Sequence, residues 1–70
     1  MSKGRVKWFN TTRGFGFIEP DEGGADAFVH ITAVHDAGLK ELLEGQHIEY
    51  EMLPAKTGKD CAMNLRVLED

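Results

Sequence analysis

One cysteine, Cys61, occurs in 70 residues, so no intrachain disulfide can brace the fold, and a reducing compartment is expected. No apolar run approaches the roughly 18 residues of a spanning helix, and the N-terminus MSKGRVKWFN lacks the apolar stretch of about 7–15 residues typical of a secretory leader. A cytoplasmic protein with no membrane partner is the resulting expectation. Metal-ligand spacing is also missing: His30, His35, His47 and Cys61 form no Cys-x-x-Cys or His-x-x-x-His pair, so neither a metal nor another cofactor is expected. Catalytic pairs are equally scarce, and Gly14-Phe15-Gly16 fails the dinucleotide pattern because Glu19 stands at its third glycine position. A non-enzyme is expected. The enzymatic rival, a nuclease holding a hard metal on Asp21, Glu22 and Asp26, would betray itself by magnesium-dependent RNA cleavage.

What is present describes one small folded module. No repeat, low-complexity tract or linker divides the chain, and 41% hydrophobic residues are too many for a disordered segment, so residues 1–70 are read as a single domain. Strands are expected at Gly4–Asn10, Phe15–Glu19, Asp26–Ile31, Gln46–Leu53 and Cys61–Leu68, with turns at Pro20–Gly24 and Lys56–Lys59. A helix of a turn or two is expected within Ala37–Glu44, ahead of Gly45. Five short strands leave no room for crossover helices, which points to an all-β antiparallel barrel. Its interior should take Val6, Ile18, Val29 and Ile48, with several of Met52, Met63, Leu65 and Val67. Cys61 reads as a small buried hydrophobe, and His35 and His47 as surface histidines.

The net charge of −4 argues against a polyanionic partner until its distribution is considered. Residues 1–18 carry Lys3, Arg5, Lys7 and Arg13 with no acid, whereas residues 19–70 carry four bases and 12 acids. Aromatics interleave with the basic part. If Ile18 points inward, alternation sends Phe15 and Phe17 outward, and the third strand likewise presents Phe28 and His30 opposite Ala27, Val29 and Ile31. The opposite arrangement, with phenylalanines inside, would leave Gly14 and Gly16 packing nothing on the outer face. Flat rings beside fixed cations suit unpaired nucleobases, and a contiguous exposed aromatic patch marks a binding surface. Single-stranded nucleic acid is the expected ligand, with a peptide docked on the same rings as the alternative.

The stretches GRVKWFN (Gly4–Asn10), RGFGFI (Arg13–Ile18), DAFVHI (Asp26–Ile31) and EGQ (Glu44–Gln46) resemble the bacterial cold-shock domain, a five-stranded OB-fold barrel, across nearly the whole chain. The resemblance implies a stacking surface of Trp8, Phe15, Phe17, Phe28 and His30, with Lys7 and Arg13 beside it and Asp26 contacting bases; Phe9 and Asn10, neighbours of Trp8, are read into the same binding site, with partial burial under the loop as the alternative for Phe9. Ile31 and Leu39 complete that site, but many relatives carry phenylalanine at both positions, so softer contacts and lower affinity are expected there. Ala27 replaces a commoner valine and should leave a small void, while Arg13 in place of lysine keeps the cation. An RNA chaperone is implied, binding pyrimidine-rich single-stranded RNA and DNA, with a further role in transcription antitermination or translation. A monomer is expected, with strand exchange as a route to a dimer. An RRM also contains a motif like Arg13–Phe17, but it places its second motif ahead of the first and needs two helices.

Trp8 divides these arguments, since strict alternation puts it on the side of Val6, in the core, whereas the resemblance puts it outside. A bulge or strong twist in the first strand would reconcile them.

Overall fold

A computed structural model describes residues 1–55 and 58–68. It contains β1 (Ser2–Asn10), β2 (Phe15–Pro20), β3 (Ala27–His30), α1 (Ile31–Asp36), β4 (His47–Pro54) and β5 (Asp60–Val67). The five strands form one antiparallel sheet in the order β3-β2-β1-β4-β5, the all-β class expected from the sequence. Its outer strands β3 and β5 pack against each other and curl the sheet into the OB-type shape, with no hydrogen-bonded ladder between them among the described residues. Of the turn expected at 56–59, residues 56 and 57 lie outside the described set; Ala55 donates its N–H to the Lys59 carbonyl across it at 2.9 Å.

Val6, Ile18, Val29 and Ile48 fill the interior at no more than 2% exposure, and Tyr50 is buried beside them. Leu65 is buried and half-buried Val67 packs against the core, but Met52 and Met63 do not join it. The β4–β5 register slips between Glu49, which faces Arg66, and Glu51, which faces Met63, and Asn64 adopts φ 53° in the extra residue of β5. Such a slip exchanges faces along a strand, so fully buried Ala62 occupies the interior position that alternation assigned to Met63. Cys61 is buried, and so is Ala27, which also lines an open recess of about 570 Å³ shared with Pro20, Tyr50 and Met52.

The helix forms at Ile31–Asp36, immediately after β3, and not within Ala37–Glu44. His30 caps it by accepting the Thr32 N–H on Nδ1 at 3.2 Å, and Ala33 and Val34 supply its buried face. Gly38 ends it. At φ 80° this glycine lets its own N–H reach the His35 carbonyl and the Leu39 N–H reach the Val34 carbonyl, a Schellman closure that no residue with a Cβ adopts as readily. The chain beyond is held extended over the core by buried Leu42, and by Gly45 and Gln46, whose backbones bond to Val6. His47 is also less exposed than expected: its side chain is only 14% accessible, with Nε2 at 2.7 Å from Asp21 Oδ2.

Gly16 marks a close approach between β1 and β2. A Cβ there would be driven into the Trp8 carbonyl oxygen and would lie 2.7 Å from Phe9 Cα, both backbone atoms that cannot swing aside. Gly16→Ala is therefore expected to destabilise the domain by about 1–3 kcal/mol, the usual cost of overpacking. Urea denaturation checks this; an unchanged midpoint would mean that the two strands are less closely coiled.

Candidate nucleic-acid interface

The outward position of Trp8 follows from a second slip. Val6 pairs with Ile18 and Trp8 with Phe17, so Lys7 is an extra residue in β1 and the alternation restarts one position later. Val6 thus stays inside while Trp8, 39% exposed, stands on the outer face. The bulge that reconciles the two readings of this residue is present.

Trp8 meets three phenylalanines there. Its ring lies 5.6 Å from Phe15 and 5.3 Å from Phe17, edge to face in both cases. Phe28 stacks on Phe15 at 5.8 Å and 25° and meets Phe17 at 5.7 Å and 73°. All four contacts fall within the separation at which aromatic pairs attract, so the rings hold one another in place while half-exposed on the surface. His30 pairs with Phe15 across β2 and β3, and Phe17 pairs with Phe28. The arrangement with phenylalanines inside is excluded by the complete burial of Ile18 and Val29 on the other face.

Charged groups border the rings. Lys7 Nζ lies 3.1 Å from Asp26 Oδ2, both side chains partly exposed. That hydrogen bond, reinforced by the carboxylate's charge, raises the Lys7 pKa above its usual 10.5, so the ammonium is held charged and positioned. The pair offers two complementary groups at the surface, a cation suited to anions and a carboxylate that accepts N–H donors. Arg13 is exposed on the β1–β2 turn, where Asn10 accepts the Arg13 N–H on its side chain at 2.9 Å and the Gly14 N–H on its carbonyl at 2.8 Å.

The structure thus brings together Trp8, Phe15, Phe17, Phe28 and His30, while Lys7, the residue before Trp8, is tied to Asp26, and Arg13 lies exposed on the turn that leads into Phe15. Other expected site residues are placed differently. Phe9 is half-buried against the core, its ring over Gly16, and Leu39 packs against the core at the end of α1. Half-buried Ile31 lies over Gly14, and the Asn10 side chain shapes the turn. A groove beside the rings is shared by Phe17, Phe28 and His30 with Thr32, Cys61 and Met63. Sequence reasoning missed this side of the surface, because alternation turned Met63 inward and gave no signal of the β5 slip.

The family described as 'Cold-shock' DNA-binding domain matches residues 2–68. A "Probable cold shock protein y4cH" of Sinorhizobium fredii is 60% identical over 67 residues, 94% of this chain and 97% of that protein. "Cold shock protein CspA" of Rhizobium meliloti is 54% identical over the same proportions. "Cold shock-like protein CspE" of Escherichia coli is 48% identical over 60 residues, 86% of this chain and 87% of its own.

Proposed function

Since the chain belongs to the cold-shock domain family of nucleic-acid-binding proteins, we propose that it captures unpaired, pyrimidine-rich RNA and DNA by stacking bases on Trp8, Phe15, Phe17 and Phe28, without catalysing a reaction. The observation that carries this reading is the four-ring cluster on the face opposite a fully aliphatic β2–β3 interior. Each exposed π-face offers a base an apolar platform whatever its hydrogen-bonding edge, and Lys7 and Arg13 supply positive charge for the backbone. Duplex is disfavoured, because its bases already stack on one another and the described residues present no long helix to a groove.

An RNA chaperone activity follows by mass action. A protein that binds only the open form of a weak hairpin shifts its equilibrium by the free energy of that binding, so saturating amounts melt marginal stems and leave strong ones paired. Transcription antitermination and translational regulation are natural consequences in the cytoplasm, where nascent and mature transcripts carry such stems. A monomer suffices for this activity.

The test is a titration of Trp8 fluorescence with oligo-dT, oligo-U and a matched duplex at several salt concentrations. Single strands are expected to quench strongly and duplex weakly. If Lys7 and Arg13 each contact one phosphate, log affinity falls with log salt at a slope of about −1.4, since each single-strand contact contributes about −0.7. Flat curves with every nucleic acid would overturn the reading, and saturable but salt-independent binding of an apolar peptide would assign the rings to protein docking.

A further inference from the structure

The groove beside the ring cluster has a volume of about 980 Å³ and continues the outer surface of β2 and β3 onto β5. Phe17, Phe28 and His30 line it from the strands already described, while Cys61 and Met63 line it from β5. Its lining is predominantly apolar, with Lys59, just ahead of β5, and Asp60, its first residue, also contributing to it. We propose that Met63 forms the second wall of a nucleobase slot, so that a strand crossing Phe28 continues with its next base held against the Met63 thioether.

This proposal rests on the reading of the rings as a single-strand site, and three observations extend that reading to β5. The groove is continuous with the ring cluster, since Phe17 and Phe28 belong to both. Its chemistry is that of a base: apolar walls suit the two faces, while the Asp60 carboxylate can accept an N–H and the Lys59 ammonium can meet the following phosphate. Finally, the β5 slip at Asn64 takes Met63 out of the barrel interior and sets it, half-buried, in the groove. An unbranched thioether adapts to flat partners of different outline and attracts aromatic rings, so it can hold a base without demanding one identity. A softer wall of this kind offers contact on a surface where Ile31 and Leu39 are not aromatic.

The chain carries three methionines, and their methyl groups provide the experiment. Met1 and Met52 line the separate recess beside Tyr50 and serve as internal references. Protein labelled with methyl-¹³C methionine is titrated with oligo-dT of increasing length while Trp8 fluorescence is followed in parallel. Once the oligonucleotide is long enough to pass Phe28, the Met63 methyl is expected to move upfield under the ring current of a base, with Met1 and Met52 unmoved. Met63→Ala should weaken binding of the longer strands by about threefold to tenfold and leave the shortest unaffected, whereas Met63→Leu, which keeps the volume, should retain most of the affinity. Quenching of Trp8 with no movement of the Met63 methyl would overturn the slot and leave the ring cluster intact. Absence of quenching by any strand would overturn the ring-cluster reading and the slot with it. The methyl shift is read on the unaltered chain, so the result does not depend on a variant folding.

Discussion

Replacing Phe28 by alanine is expected to weaken single-strand binding by about 1–3 kcal/mol, roughly a 5- to 150-fold rise in Kd, which is the loss of one base-stacking platform. Phe28 is chosen because it touches two other rings, stacking on Phe15 and meeting Phe17 edge to face, and because it also borders the groove toward β5. Its removal therefore takes away a platform and the support of its neighbours, which places the effect in the upper part of that range. The readout is Trp8 quenching by oligo-dT, with circular dichroism to verify the fold. The Phe28 side chain is only half-buried and stands on the outer face, so the interior packing remains. An unchanged Kd in a folded variant would remove Phe28 from the binding surface and with it the physical case for stacking.

Ile18→Ala should give the reverse pattern, a large loss of stability with little change in binding where the protein remains folded. Ile18 is completely buried and sits in β2 between Val6 of β1 and Ala27 of β3. Its partner Ala27 carries a single methyl group and cannot fill the volume that the truncation would leave. Truncating a buried isoleucine costs about 2–5 kcal/mol, against roughly 4–10 kcal/mol for the whole stability of a domain this size. At about 4–8 °C per kcal/mol the melting temperature falls by some 10–40 °C. Thermal denaturation followed by circular dichroism measures it, and a drop of only a few degrees would show that Ile18 does not anchor the interior. Below the transition, the affinity for oligo-dT should stay within about twofold, because the rings face the other way.

These two substitutions also show what alternation could reveal. Within β2 and β3, period-2 patterning separated Ile18 and Val29 from Phe15, Phe17, Phe28 and His30 correctly, because β2 pairs with β3 without a slip in register. Where a strand carries an extra residue the pattern loses its phase. In β1 the conflict over Trp8 was visible, since it lay between Val6 and the aromatic stretch and a bulge offered the solution. In β5 no such conflict warned of the slip, so Met63 was assigned to the interior. The helix differs for another reason: the segment Ala37–Glu44 contains Gly38, whose left-handed conformation closes the helix before it.

The sequence by itself determined the class of the protein: its all-β fold, its aliphatic interior in β2 and β3, its outward rings, and its family. Those features depend on side-chain chemistry and on local periodicity, and both can be read along a chain. Tertiary structure alone decided which strands carry an extra residue, that Phe9 and Leu39 rest on the core, that Lys7 is tied to Asp26, and that Met63 lines a groove together with Phe28. Each of these is set by how neighbouring strands coil and close around a shared core. That closure joins residues far apart in sequence, and a one-residue slip made to achieve it reverses every face beyond it.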